Sequence, residues 1–375
     1  MSSTIRLGRL HGIVVNVHVT FLPVLIGAAW LGWARYGGFQ GAAFGALAVL
    51  LLFACVLLHE MAHSFQARVR GIGVQEIVLL PFGGLTNLDL LAIEPEDEIG
   101  IALAGPLANL GLGLLFGLIA SGAAIADGQN IRMLTWQSLQ QPTVLGLTIY
   151  LAIANLVLAL FNLLPALPLD GGRVLRALLS SRMSVVAATH RAAIAGRSFG
   201  AGIAAVGFMI LALGVVPYGL ALIMVAAALY GGATYEDRVT RRQVLLEAWT
   251  VGQVFKPAAQ TVSPHDPLHA ALDGVSKGLV VPVVVMIGEH ARLIGLVTAH
   301  ELRNMTRADH LSVAHVMRTQ FPSVRPSDPL WLAYEKLQQS HLFAVPVVSQ
   351  DDLCGLISLA DIRHALRTHR QLPPH

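Results

Sequence analysis

Gly41–Leu58 reads GAAFGALAVLLLFACVLL, and it runs without a break into His59-Glu60-Met61-Ala62-His63. The apolar part is 18 residues long, carries no charge and has no polar face to turn toward water. Such a run is close to the ~20 residues a helix needs to cross a bilayer. On that helix the two histidines are four residues apart, so their imidazoles leave one face and can share a metal ion. Glu60, beside the first ligand, is placed to take a proton from a metal-bound water. Ionisable side chains are costly in hydrocarbon and mark function where they occur.

The whole chain has the same character. It is 55% hydrophobic and 13% charged, against about 25% charged in soluble domains. Uncharged runs predict spans over Val17–Trp33, Gly41–Phe65, Ile99–Ala126 and Thr143–Leu169. A further run, Ser198–Tyr235, is 38 residues long and reads as a hairpin turning at Val216-Pro217-Tyr218-Gly219. The expected fold is therefore an α-helical polytopic membrane domain of about six transmembrane helices. Short β segments are expected near the membrane, around Val74–Leu80 ahead of a Pro81-Phe82-Gly83-Gly84 turn. Beyond Tyr235 the chain reads as soluble and α/β.

The formal charge of +3 does not imply nucleic-acid binding, because the arginines flank the apolar runs instead of forming a patch. Arg6, Arg9, Arg68, Arg70, Arg173, Arg176, Arg182, Arg191, Arg197, Arg238, Arg241 and Arg242 fall on one side of the predicted topology. The opposite side holds Arg35 and Arg132. This bias predicts a multi-pass protein of the plasma membrane with both termini cytoplasmic. Met1–Asn16 lacks the pattern of a cleavable signal peptide. Cys55 and Cys354 lie far apart without a CxxC spacing, so neither a disulfide framework nor a thiolate site is expected.

A catalytic zinc site takes three protein ligands and an open position for water. The candidate third ligand is Asp170, in Asn162-Leu163-Leu164-Pro165-Ala166-Leu167-Pro168-Leu169-Asp170-Gly171-Gly172-Arg173. Two prolines break the span, and Gly171-Gly172 allow a turn that bends Asp170 inward. The second and fourth predicted spans run in the same direction, which puts Asp170 at the depth of His59 and His63. The competing reading is a helix end followed by a solvated loop. With two histidines and an aspartate as ligands and Glu60 as base, the natural reaction is hydrolysis of a peptide carbonyl.

These residues resemble the site-2 protease family of intramembrane zinc metalloproteases (peptidase family M50), in its prokaryotic branch with C-terminal CBS domains. His59–His63 matches the family's HExxH, and Asn162 to Gly171 matches its downstream Asn…LeuAspGly element. Gly105-Pro106-Leu107-Ala108-Asn109 matches a Gly-Pro-x-x-Asn element, for which close helix packing is as good a reading as a catalytic role. The resemblance implies one Zn²⁺ held by His59, His63 and Asp170, with Glu60 catalytic. It further implies cleavage of a transmembrane helix of a partner, such as a membrane-tethered regulator or an anti-sigma factor. Gly83, Gly84 and Asn162 would bind that substrate.

The C-terminal part carries a repeat. Val262-Ser263-Pro264-His265-Asp266-Pro267-Leu268 returns 62 residues later as Val324-Arg325-Pro326-Ser327-Asp328-Pro329-Leu330. Gly295 to Leu302 likewise matches Gly355 to Ile362. Each copy reads as helix, strand, turn, strand, helix, and one copy is too small to be stable alone. The repeat is similar to a tandem CBS pair, which implies ATP or AMP near Thr298, Ser358 and Asp361, or a structural pair that dimerises the chain. Glu301 stands where the family's Asp is usual in the first copy. The expected divisions are 1–240 for the protease domain, 250–310 for the first CBS domain and 311–370 for the second. A CBS-gated transporter using the His/Glu cluster as an ion site is the alternative.

Overall fold

The computed structural model describes residues 4–74, 76–80, 83–86, 94–126, 142–276, 280–287, 290–298, 312–340 and 342–368. The chain divides into two compact units, Met1–Thr240 and Arg241–His375.

The first unit opens with a β-hairpin, β1 (Thr4–Leu10) and β2 (Ile13–His18). His11 and Gly12 take φ of 49° and 82° at its turn, the left-handed pair that a two-residue hairpin loop needs. Strand β2 pairs in parallel with β3 (Glu76–Leu80), and β3 pairs antiparallel with β4 (Gly83–Thr86), so the sheet order is β1-β2-β3-β4. Ile13, Val15 and Val17 alternate into a core with Ala67, Val74, Ile77, Leu79 and Ile101. The sheet thus packs on the helix turn just past the paired histidines.

Helix α1 (Phe21–Tyr36) has 16 residues, about 24 Å at 1.5 Å per residue and short of the ~30 Å hydrocarbon core. The predicted first span begins too early. Its opening residues belong to Ile13–His18, whose period of two makes a strand with alternate residues buried. Among the described residues five helices are long and apolar enough to cross a bilayer: α2 (Gly38–Val69), α3 (Pro95–Ala126), α4 (Val144–Asn162), α6 (Val185–Ala212) and α7 (Val216–Ala248). Between α4 and α6 lies the short α5 (Asp170–Ser180). Helix α3 packs along α2, α4 and α5, and α5 packs along α6.

The α6–α7 turn is Leu213–Val215, with Gly214 at φ 82°, a few residues before the predicted one. Pro217 sits instead in the first turn of α7, where its missing N–H breaks no helical bond.

The second unit contains α8 (His269–Ser276), β5 (Val281–Ile287), β6 (His290–Val297), α9 (Leu330–Ser340), β7 (Ala344–Ser349), β8 (Asp352–Ser358) and α10 (Leu359–Thr368). Its strands form one sheet, β5-β6-β8-β7. The lead-in to each copy pairs with the other copy: Lys256 bridges Leu356, and Arg318 bridges Leu296. Backbone N–H groups repeat the exchange, Val251 to Asp328 and Val313 to Asp266. Each copy's core is completed by the other's lead-in. The second helix expected in the first copy, with Glu301, lies outside the described residues.

Candidate metal centre

Two elements converge on one buried point. The last third of α2 brings His59 and His63, one turn apart, to 6% exposure each. Helix α5 begins at Asp170, 8% exposed. Asp170 Oδ2 stands 3.1 Å from His59 Nε2 and 3.4 Å from His63 Nε2, and the two Nε2 atoms are 3.1 Å apart. Asp170 is not on the predicted glycine turn. Gly171 and Gly172 are helical, and they let α5 start directly against the preceding loop. A Cβ on Gly171 would strike the Leu163 and Leu164 carbonyls, and one on Gly172 would strike the Leu167 nitrogen.

The donor set fits a metal ion. His63 Nδ1 donates to the Ile101 carbonyl at 2.7 Å, which fixes its tautomer and leaves the Nε2 lone pair facing inward. A second Nε2 and a carboxylate oxygen face the same point, and Asp170 Oδ2 has no hydrogen-bond partner among the described residues. Three lone-pair donors crowded together out of water repel one another unless a cation lies among them. The two-nitrogen, one-oxygen set suits Zn²⁺.

Gly105 belongs to this site. A Cβ there would stand on His63 Nε2 and 2.6 Å from His59 Nε2. The Gly-Pro-x-x-Asn element is therefore packing, but packing against the ligand atoms. Asn109, one turn further along α3, is 1% exposed, and its Oδ1 has no hydrogen-bond partner among the described residues. Glu60 is buried at 8% exposure beside His59.

Two arginines that sequence reading placed in a loop also lie here, Arg176 buried and Arg173 half-buried. Arg176 is paired with Glu98 of α3, with Nε 2.8 Å from Oε1. Arg173 reaches Glu236 of α7 at 3.4 Å. Burial works against the charge on Arg173, but Glu236, Asp170, Glu60 and Glu98 outweigh it and hold its pKa above the ordinary value. The HExxH spacing did not signal these partners. The signal available was three charges at Asp170, Arg173 and Arg176, within two turns of a loop bordered by apolar runs.

The remaining predicted site residues fall elsewhere. Gly83 and Gly84 lie on β4, at the edge of the sheet, opposite Leu80 and Leu79. Asn162 is the last, half-buried residue of α4. Thr298 is buried just after β6. Ser358 caps α10: its Oγ donates to Asp361 Oδ2 at 2.5 Å, and Asp361 N donates back to Ser358 Oγ at 3.2 Å. Lys256 Nζ lies 2.7 Å from the other Asp361 oxygen. Burial pushes the Asp361 carboxyl upward, but Lys256 and the bonds from Ser358 prevail and keep it below the usual carboxylate range.

Comparison with known proteins bears on the same residues. The profile of peptidase family M50 matches residues 47–202, and that of the CBS domain matches 251–306 and 313–368. A zinc metalloprotease of Methanocaldococcus jannaschii is 30% identical over 300 residues, 79% of this chain and 78% of the relative. The Rip3 protein of Mycobacterium tuberculosis is 29% identical over 396 residues, 100% of this chain and 95% of the relative. The solved site-2 protease from Methanocaldococcus jannaschii shares 31% identity, covering 63% of this chain and 95% of that one, with a TM-score of 0.45.

Proposed function

Starting from the fact that the chain belongs to peptidase family M50, the zinc metalloproteases, and carries a tandem CBS pair, we propose that it cleaves a peptide bond in or near a transmembrane helix of a partner protein. The observation that carries this reading is the convergence of His59 Nε2 and His63 Nε2, on a membrane-length helix, with Asp170 Oδ2 of the short α5 at one buried point.

His59, His63 and Asp170 would hold the zinc. When bound there, the ion supplies Lewis acidity toward the scissile carbonyl and acidifies water to a pKa near 7. Glu60 accepts the proton of the attacking water and returns it to the leaving amide nitrogen. The Ile101 carbonyl keeps His63 in the ligating tautomer. Burial of the whole cluster favours this proton exchange, because competing bulk water is kept from the carboxylate.

A peptide bond inside a helix is shielded, so the substrate must unwind locally. Strand β4 lies at a sheet edge and carries Gly83 and Gly84, whose lack of side chains suits an added extended strand. Asn162, at the end of α4, is the candidate donor to the substrate backbone. The arginine bias supports cytoplasmic termini and a cytoplasmic CBS pair in the plasma membrane. The CBS pair is read as the regulatory or dimerising part, with Thr298, Ser358 and Asp361 as its nucleotide contacts.

Co-expression with a tagged single-span substrate tests the reading. The wild type is expected to release the substrate's cytoplasmic fragment, and Glu60→Gln and Asp170→Ala to leave it intact. Release of the same fragment by both variants would remove the proposed mechanism.

A further inference from the structure

One stripe of α3 faces the metal centre. Glu98, Ile101, Gly105 and Asn109 are spaced by three and four residues, so they share a face, and all four are buried. Along that stripe the Ile101 carbonyl accepts the hydrogen bond from His63 Nδ1, Gly105 backs the ligand nitrogens, and Glu98 pairs with Arg176 of α5. Helix α3 therefore touches both sources of ligands, the histidines of α2 directly and the aspartate of α5 through an ion pair.

Helix α5 has 11 residues, and its ligand is the first of them, where a helix frays most readily. Three and six residues further on stand Arg173 and Arg176. Arg176 is 4% exposed and holds one oxygen of Glu98 through both Nε and a terminal nitrogen, and it lies 4.0 Å from Glu236. Arg173 holds the other oxygen of Glu236. Two arginines on α5 are thus fixed to two carboxylates on different helices. A rotation of α5 by one residue would turn Asp170 by about 100° and break these contacts together.

A buried ion pair such as Glu98–Arg176 contributes little net stability over an apolar pair of the same size, so stability alone is a weak reason for it and for the half-buried Arg173–Glu236 pair beside it. We infer that Glu98, Glu236, Arg173 and Arg176 are positioning residues that set the rotation and depth of α5, and so hold Asp170 Oδ2 at the metal. This inference rests on the proposed zinc site.

The test uses the full chain in detergent, with zinc affinity measured by chelator competition and ligand geometry by the visible spectrum of the cobalt(II) form. Glu98→Gln keeps the shape of the side chain and removes its charge. It is expected to weaken zinc binding about 10- to 100-fold, as second-sphere changes do, and to shift the cobalt bands. A Glu98→Leu/Arg176→Met double variant removes both charges, so no unpaired ion is left buried. Positioning predicts that it too binds weakly with shifted bands, whereas a merely structural pair would give back the wild-type affinity and spectrum. That recovery, or an unchanged Glu98→Gln, would overturn the inference. If the double variant does not fold, Glu236→Gln carries the same readouts for the Arg173 arm. Weakened binding with shifted bands there supports positioning, and wild-type affinity and bands overturn it. Wild-type protein that binds no zinc, or His59→Ala protein that still binds it, would count against the metal site itself.

Discussion

At the scale of single residues, the centre depends as much on an absent atom as on its ligands. Gly105 leaves the space in which two imidazole nitrogens meet, and a Cβ there would occupy it. Gly105→Ala is therefore expected to weaken zinc binding at least tenfold in chelator competition with the purified chain. Gly111→Ala on the same helix, with nothing within 4 Å of its added carbon, should leave zinc affinity unchanged. The paired histidines and Glu60 are legible from spacing alone, since residues four apart on a helix share a face. Gly105 is not legible in this sense. A glycine in an apolar helix announces close approach, but not what approaches. Asp170 is legible as a residue but not as a conformation, because Gly171-Gly172 suggest a turn where they in fact admit the backbone of Leu163–Leu167 against a helix start.

At the scale of elements, the misreadings share a physical origin. Val17 and His18 are counted into the first predicted span, yet the period of two over Ile13–His18 and a left-handed turn at His11-Gly12 commit them to a sheet. Arg173 and Arg176 read as loop charges, because nothing local reveals that Glu98 and Glu236 meet them from 78 and 63 residues away. Close packing around α5 gives a stability prediction. A Cβ on Gly196 of α6 would strike the Leu167 carbonyl. Gly196→Val should therefore cost about 1–3 kcal/mol, read as a lower thermal midpoint in detergent. A pH dependence follows for α10. The folded Asp361 carboxyl titrates below its unfolded value. Its contribution is thus complete above the ordinary Asp pKa of about 3.9 and fades as pH falls through the folded value. Because Lys256 is 68% exposed, salt screens that arm and the cap dominates. Asp361→Asn should cost about 0.5–1 kcal/mol near pH 7, and that cost should shrink as pH falls through the folded carboxyl's pKa, read in denaturant titrations at pH 7 and in acid.

At the scale of the whole molecule, a metal site among membrane-length helices and the short α5 is followed in the chain by a repeat whose copies exchange lead-in segments. The repeat is legible because its motifs return in the same order, 62 residues on for Val262–Leu268 and 60 for Gly295–Leu302. The exchange is not, since it depends on which copy each lead-in pairs with. Reporter fusions at residue 375 should be active only with cytoplasmic reporters; activity of a periplasmic reporter would reverse the proposed topology. The most direct test is X-ray absorption at the zinc edge of the purified full chain, wild type and Asp170→Ala. Wild-type protein should hold one zinc with nitrogen and oxygen neighbours only, at about 2.0–2.1 Å, two of them imidazoles, and Asp170→Ala should lose one of these neighbours or the metal. Cys55 lies on the same face of α2, one turn before His59. A sulfur neighbour at about 2.3 Å, or a shell unchanged by Asp170→Ala, would contradict a centre built from His59, His63 and Asp170.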